Sequence, residues 1–179
     1  MNNDLKKISK KMSYALRHAP EKFGLQLDAQ GWCQVQDLLS AFRKKGIEMT
    51  QELLDEVVEK NDKKRFAFDD SRSKIRASQG HSIPIDLGYE PVKPPDVLFH
   101  GTARQHLDSI LREGLQKRNR HHVHLSPDRE TATRVGGRHG KAVVLLVNAK
   151  VMHEQGIPFY RSSNGVWLTE SVAPEFLSF

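Results

Sequence analysis

The stretch IPIDLGYEPVKPP, residues 83–95, decides how this chain of 179 residues is organised. It holds four of the eight prolines, a composition that resists regular structure and favours an extended linker. The chain is therefore predicted to divide near residue 92 into two lobes, residues 1–92 and 93–179. Apolar and charged residues follow a different pattern in each lobe, so each predicts a different kind of fold.

Three amphipathic helices and a hairpin are predicted in the first lobe. Apolar residues mark the helices at a spacing of three or four: Leu5, Ile8, Met12 and Leu16, then Val35, Leu38, Leu39 and Phe42, then Leu53, Leu54, Val57 and Val58. Pro20 discourages extension of the first helix, Gly46 suits a left-handed C-cap after the second, and Thr50 suits the N-cap of the third. RFAFDDSRSKIRA, residues 65–77, predicts two short strands around a turn. This order is typical of a winged-helix module, which often binds nucleic acid.

The second lobe predicts many short strands and few helices. DVLFHGT, residues 96–102, reads as a strand that ends at His100, Gly101 and Thr102, and a helix closed by Gly114 follows it. Further strands are expected at 123–125, 142–147, 159–161, 165–168 and near 173–179. The whole chain is therefore predicted to be an α+β protein, with a β-rich second lobe.

Charge and cysteine content limit the partners and the compartment. Lys and Arg number 28 against 22 Asp and Glu, so a formal net charge of +6 makes an anionic partner plausible. The single cysteine, Cys33, excludes an internal disulfide and a thiolate zinc cluster, and suits a reducing compartment. No run approaches the roughly 20 apolar residues that span a bilayer. These features predict a soluble cytoplasmic protein without a membrane partner, and a monomer is favoured.

Positive charge is concentrated in RNRHHVHLSPDRETATRVGGRHGKA, residues 118–142, which holds five arginines and four histidines. Eight of the twelve basic residues after residue 92 are arginines, whose planar guanidinium suits two-pronged contact with phosphate. No GxGxxG follows a strand, which argues against a Rossmann dinucleotide site. The second lobe is therefore expected to bind a phosphate-bearing ligand without a Rossmann site.

Six ordered motifs carry a resemblance that covers nearly the whole chain. They are LRHAP (16–20), NDKKRFAF (61–68), IRASQGHS (75–82), LFHGT (98–102), RHHVHLS (120–126) and GVWLTE (165–170). In this order and at these separations they resemble the NAD-dependent RNA 2'-phosphotransferases of the Tpt1/KptA family. The resemblance implies an N-terminal winged-helix lobe that binds RNA and phosphate, and a C-terminal NAD-binding lobe similar to ADP-ribosyltransferases.

The resemblance also implies the reaction. An internal RNA 2'-phosphate is transferred to NAD+ through a 2'-phospho-ADP-ribosylated RNA, leaving 2'-OH RNA, ADP-ribose 1'',2''-cyclic phosphate and nicotinamide. NAD+ is thus expected as co-substrate and no metal is expected. The RNA partner implied by the family is a 2'-phosphorylated RNA such as a spliced tRNA, and small 2'-phosphorylated molecules are an alternative.

By the same resemblance, four cations handle the phosphate in a cleft between the lobes: Arg17, Lys63, Arg65 and Arg120. Arg17, His18, Arg65 and Arg120 are the residues expected to bind the RNA substrate. The choice between Lys63 and the adjacent Lys64 stays open. Arg17 read alone has another explanation, because a cation is favoured at a helix C-terminus without any ligand.

The NAD site implied by the resemblance comprises His100, Gly101, Thr102, Ser126 and Arg138. His100 and a hydroxyl hold the adenosine-side ribose, Ser126 the nicotinamide-side ribose, and Gly101 admits close approach of the backbone. Arg138 is expected to contact the diphosphate or a ribose, with Gly136 and Gly137 giving a flexible approach.

Alternatives stay open for several residues and for the function. Glu170 is a candidate catalytic glutamate only by position. His121, His122 and His124 could form a metal site, although no cysteine or carboxylate accompanies them at ligand spacing. An ADP-ribosyltransferase that stops after the first transfer would keep the NAD motifs, and a winged-helix regulator would bind nucleic acid without turnover.

Overall fold

A computed structural model describes residues 3–179 and divides the chain into two compact units, Met1–Gly88 and Tyr89–Phe179. The division falls inside the proline-rich stretch, at Gly88 rather than at residue 92. Both units mix helices with small antiparallel sheets, so the chain has an α+β fold.

Among its described residues the first unit contains three α-helices and three strands: α1 (Asn3–Arg17), β1 (Cys33–Gln34), α2 (Val35–Lys44), α3 (Gln51–Glu59), β2 (Phe66–Phe68) and β3 (Lys74–Ala77). A short 3-10 helix, Pro20–Phe23, follows α1. The strands form one antiparallel sheet in the order β1-β3-β2, with Cys33 opposite Ile75 and Phe66 opposite Ala77. The apolar faces of all three helices pack with Phe66, Ile75 and Ala77 of this sheet into one core.

Local sequence signals locate the ends of these helices. The Thr50 side chain accepts a hydrogen bond from the Leu53 backbone N–H, which confirms Thr50 as the N-cap of α3. Gly46 follows α2 with φ of +75°, in the left-handed region that an L side chain rarely adopts. The two-residue strand β1 was not predicted, because its pairing with β3 depends on residues far away in the sequence.

The second unit contains eight strands and three α-helices among its described residues: β4 (Leu98–Ala103), α4 (Leu107–Glu113), β5 (Leu115–Gln116), β6 (Val123–Leu125), α5 (Arg129–Gly136), β7 (Ala142–Val147), α6 (Ala149–Glu154), β8 (Tyr160–Arg161), β9 (Trp167–Thr169), β10 (Ser171–Val172) and β11 (Leu177–Ser178). Short 3-10 helices lie at Arg104–His106 and Pro174–Phe176. The strands make two three-stranded sheets, β11-β7-β4 and β6-β9-β8, and a pair, β10-β5. A single bridge between Phe99 and Ser126 joins β4 to the segment after β6.

The strand predicted over residues 96–102 is present as β4 and ends one residue later than expected; His100, Gly101 and Thr102 pair with Leu145, Val144 and Val143 of β7. The unit contains more helix than expected, because α5 and α6 were missed. The α5 sequence RETATRVG has no apolar stripe, and its buried residues are Ala132 and Gly136.

Glycine allows α5 to pack closely on β4. A Cβ atom on Gly101 would lie 1.6 Å from the carbonyl oxygen of Ala132, and one on Gly136 would lie 2.8 Å from the backbone of Thr102. Gly136 and Gly137 were expected to form a flexible approach to a ligand. Instead, Gly136 lies within the last turn of α5, and Gly137 follows with an ordinary φ of −70°.

Within residues 3–179, no helix is both long and apolar enough to cross a bilayer.

Candidate active site

The end of α1 is tied to the segment that follows β3. The backbone N–H of Ser82 donates to the carbonyl oxygen of Arg17 at 2.9 Å, and the Ser82 hydroxyl lies 2.8 Å from Nδ1 of His18. Arg17 is the last residue of α1, where its positive charge also complements the helix dipole. Two residues of the LRHAP motif are thus held by the serine that ends the IRASQGHS motif.

A buried asparagine supports the turn that carries Lys63 and Arg65. The Asn61 side chain is 2% exposed and donates from Nδ2 to the Ser9 hydroxyl on α1 at 2.8 Å. Its Oδ1 accepts from the Lys63 backbone N–H at 3.2 Å, and its carbonyl accepts from the Lys64 N–H at 2.8 Å. The start of NDKKRF is therefore anchored to α1, while Lys63 and Lys64 are exposed.

Segment 78–82 connects these two groups of cations. The Ser78 backbone N–H donates to the Arg65 carbonyl at 2.8 Å, and its hydroxyl donates to the Lys64 carbonyl at 3.1 Å. Lys64 has a φ of +42°, and both its backbone N–H and its carbonyl form hydrogen bonds in this turn. Segment 78–82 is thus hydrogen-bonded to Arg65 at its start and to Arg17 and His18 at its end.

The hydrogen bond of His100 determines which ring nitrogen is left for a ligand. Nδ1 lies 3.0 Å from the carbonyl oxygen of His124, and a carbonyl can only accept, so Nδ1 carries a proton. Burial lowers the pKa of His100, and the bond to His124 partly opposes that shift. In the neutral ring Nε2 is consequently a hydrogen-bond acceptor, which suits a ribose hydroxyl.

Of the two predicted hydroxyl residues, Thr102 lies on β4 with His100, and Ser126 lies on the segment after β6 that is bridged to β4. Thr102 is 8% exposed and lies on β4 two residues after His100, so both side chains project from the same face of the strand. Ser126 exchanges two backbone hydrogen bonds with Phe99, at 2.7 and 2.9 Å. Backbone pairing thus places Ser126 beside the strand that carries His100 and Thr102, whereas Gly101 has its own packing reason to be glycine.

Two predicted cations of the second unit lie within electrostatic reach of each other. Partial burial of its guanidinium lowers the pKa of Arg120, although the residue as a whole is exposed, and the charge of Arg138 lowers that pKa further. Nη1 of Arg120 also lies 3.5 Å from Nδ1 of His124. Two guanidinium groups that repel each other at a half-solvated site form an arrangement that an anion would stabilise.

Glu170, the candidate catalytic glutamate, has a lysine partner. Its carboxylate accepts a hydrogen bond from Nζ of Lys117 in an ion pair. His122 stacks obliquely against Tyr160 at 5.4 Å, and burial lowers its pKa. Within residues 3–179, no group of three or more His, Cys, Asp or Glu side chains is arranged to hold a metal ion.

Four supporting residues were not singled out from the sequence: Asn61, Ser78, Ser82 and Lys117. Three of them lie inside or at the edge of quoted motifs, so their position in NDKKRFAF and IRASQGHS was the available signal. Lys117 had no such signal, because its partner Glu170 lies far along the chain.

The fold and the candidate site residues indicate which kind of ligand this protein can bind. The fold is α+β, one unit ties its predicted cations to segment 78–82, and the other holds an acceptor histidine and two arginines that interact electrostatically. Such a donor set suits a phosphorylated ligand.

Comparison with known proteins gives the family. Residues 3–171 match the model of "RNA 2'-phosphotransferase, Tpt1 / KptA family". The chain belongs to this family, and it is an enzyme that transfers phosphate.

Relatives from distant bacteria match almost end to end. Proteins named "Probable RNA 2'-phosphotransferase" share 49% identity in Flavobacterium johnsoniae, covering 100% of this chain and 99% of the relative, and 50% in Nostoc punctiforme, covering 97% and 96%. A protein of the same name in Streptomyces coelicolor is 52% identical, covering 97% of this chain and 94% of its own length. The similarity therefore includes both units.

Proposed function

We propose that this chain removes an internal 2'-phosphate from RNA by transferring it to NAD+. The observation that carries the proposal is the near end-to-end match to a family named for RNA 2'-phosphate transfer. The products would be 2'-OH RNA, ADP-ribose 1'',2''-cyclic phosphate and nicotinamide. The fold assignment belongs to the proposal: the order α1-β1-α2-α3-β2-β3 suits a winged helix, and the second unit suits an ADP-ribosyltransferase lobe.

The first unit would hold the 2'-phosphate. Arg17, Lys63 and Arg65 supply positive charge, and His18 supplies a ring nitrogen, all on segments braced by Ser78 and Ser82. The 2'-phosphate is already an anion and needs no general base to make it nucleophilic. The task of these residues is to hold and aim it, and to stabilise the charge that develops on phosphorus.

The second unit would hold NAD+. Nε2 of His100 can accept a hydrogen bond from a ribose hydroxyl, and the Thr102 and Ser126 hydroxyls can donate or accept. Arg138 would face phosphate oxygens of NAD+, and Arg120 would contact the phosphate that is transferred, so that negative charge relieves their mutual repulsion. Bound NAD+ supplies the electrophilic ribose carbon and nicotinamide as leaving group.

The proposed reaction uses neither a general base nor a metal ion. Glu170 forms an ion pair with Lys117, so we assign it to structure and not to proton transfer. The cations can balance phosphate charge without a divalent ion, and we therefore propose a reaction that needs no metal.

The test is incubation of the full chain with NAD+ and an RNA bearing one internal 2'-phosphate. We expect free nicotinamide, 2'-OH RNA and the cyclic phosphate in equal amounts, with EDTA having no effect. Nicotinamide release with a stable ADP-ribosylated product would instead identify an ADP-ribosyltransferase. RNA binding without nicotinamide release would indicate a regulator. Parallel reactions with a tRNA and with a 2'-phosphorylated nucleoside would rank the substrate classes.

A further inference from the structure

Helix α1 presents a face of lysines that the proposed reaction does not use. Lys6, Lys7, Lys10 and Lys11 are all exposed. In the described part of the chain none of the four forms an ion pair with a carboxylate. The opposite side of α1 is buried in the core through Leu5, Met12 and Leu16, so this helix cannot also insert its apolar face into a membrane.

Helix α3 has the opposite charge. Its sequence QELLDEVVE contains four carboxylates and no basic residue: Glu52, Asp55, Glu56 and Glu59. Asp55 and Glu56 form ion pairs with Arg72 and Lys60, whereas Glu52 and Glu59 form none among the described residues. In helix-turn-helix proteins the recognition helix enters the major groove close to phosphates, which would repel such unpaired carboxylates. A nucleic acid that contacts this unit therefore has reason to avoid α3 and to use α1.

The lysines of α1 form two rows that end at different residues. At 3.6 residues per turn, Lys6, Lys10, Ser13 and Arg17 lie on one line along the helix. Lys7, Lys11, Tyr14 and His18 lie on a second line, about 100° around the helix from the first. Only the first row leads to the predicted phosphate-binding arginine.

The side chains between the lysines and the helix end also distinguish the rows. In the second row Tyr14 is bulky and 42% exposed, and Nζ of Lys22 donates to its hydroxyl at 2.8 Å and lies 5.5 Å from its ring centroid. In the first row the corresponding residue is Ser13, a small and partly buried side chain. The buried Ser13 hydroxyl does not project between Lys10 and Arg17, whereas Tyr14 and Lys22 occupy the path from Lys11 to His18.

We propose that single-stranded RNA flanking the 2'-phosphate lies along the first row, from Arg17 past Lys10 to Lys6. This inference rests on the proposed function. A rise of about 1.5 Å per residue puts Lys10 about 10 Å and Lys6 about 16 Å from Arg17 along the helix axis. Those positions suit backbone phosphates one to a few nucleotides from the modified one. The contacts are to phosphate and carry no sequence preference.

The experiment measures the salt dependence of RNA binding without NAD+. Fluorescence anisotropy gives Kd for a labelled 13-nucleotide RNA with a central 2'-phosphate, and a 2'-phosphorylated dinucleotide serves as unlabelled competitor. The variant is Lys6→Gln/Lys10→Gln, and Lys7→Gln/Lys11→Gln on the same helix is the matched control. Glutamine has nearly the helix propensity of lysine, so both should fold normally.

Each single-strand phosphate contact contributes about 0.7 to the slope of log Kd against log salt, so Lys6→Gln/Lys10→Gln should lower the slope by about 1.4. The control should lower it by less than half as much, and competition by the dinucleotide should be unchanged in both. Equal losses in the two variants, no loss in either, or weaker dinucleotide binding would overturn the inference.

Two further outcomes show whether the RNA path along α1 or the proposed function itself is wrong. If the unaltered chain turns over the dinucleotide with NAD+ but Lys6→Gln/Lys10→Gln binds the longer RNA normally, only this inference fails. If the unaltered chain releases no nicotinamide with either RNA, the proposed function fails first. Tighter binding to phosphatidylserine vesicles than to RNA, lost in the same variant, would assign the row to a membrane surface and overturn the proposal.

Discussion

The two units place their candidate residues by different physical means. In the first unit, backbone carbonyls and small polar side chains brace the loops, and Lys63 and Lys64 project from a turn that Asn61 anchors. In the second unit, His100, Gly101 and Thr102 lie on β4, and α5 packs on this strand so closely that Gly101 has no space for one extra carbon. Substitutions should therefore affect chemistry more than folding in the first unit and folding more than chemistry around β4.

The largest effect is expected from Gly101→Ala. The new Cβ would lie 1.6 Å from a backbone oxygen of α5, which cannot move without shifting the helix. Overpacking against backbone should cost at least about 3 kcal/mol of unfolding free energy, measured by urea titration. Gly137→Ala is the control, because its Cβ would lie 3.4 Å from the nearest atom and should change stability little. Similar stability of the two variants would show that substitution on β4 does not disturb folding as expected.

Arg65→Ala should reduce catalysis and leave stability nearly unchanged. Loss of one oriented charge-assisted contact to the phosphoryl-transfer transition state costs roughly 3 kcal/mol, about a hundredfold in rate. If Arg65 acts mainly on the second step, a slower-migrating ADP-ribosylated RNA should accumulate in a gel time course. Arg65→Lys should recover little, because an ammonium cannot reproduce the two-pronged contact. Equal loss of both steps, with no accumulating species, would make Arg65 a ground-state binding residue.

Asn61→Ala tests how the first unit braces its loops, because it removes a buried polar side chain that anchors the Lys63 turn to α1. The Ser9 hydroxyl would lose its donor inside the protein, so we expect about 2 kcal/mol of destabilisation. Activity should fall further than stability explains, since the turn loses its brace while remaining folded. The double variant Ser9→Ala/Asn61→Ala should regain part of the stability but not the activity. Full recovery of activity would show that Asn61 only fills space.

Asp128→Ala should have the smallest effect and tests how α5 begins. The Asp128 carboxylate accepts from the Thr131 backbone N–H at 2.7 Å and from its hydroxyl at 3.0 Å, and these bonds lower the pKa of Asp128. Loss of this N-cap should cost about 1 kcal/mol at neutral pH, measured by thermal unfolding.

The pH dependence of that prediction follows from the direction of the shift. Because the folded pKa of Asp128 is depressed, its charge-dependent stabilisation is present above the unfolded value, about 3.9, and is lost as pH falls through the folded value. Asp128→Asn keeps an acceptor without the charge. Its stability should therefore differ from the unaltered chain at pH 7 and approach it below about pH 4. A constant difference across that range would show that the charge has no part in the cap.

Local signals determined much of the first unit from the sequence alone. The apolar spacing of α1, α2 and α3, the Thr50 N-cap and the two strands of residues 65–77 were all predicted and are confirmed. These features depend on neighbours within one or two turns, which is why a single sequence reveals them. The ordered motifs likewise identified the family, although the roles of individual site residues stay predictions.

Only the tertiary structure decided the features that depend on distant atoms. The helix α5 was invisible to periodicity because its buried side consists of Ala132 and Gly136, and burial there depends on close approach to β4. The proton on Nδ1 of His100 depends on a carbonyl of another strand, and the ion pair of Glu170 depends on Lys117. Packing and hydrogen bonding between segments far apart in the chain determine these properties, and no local pattern of residues encodes them.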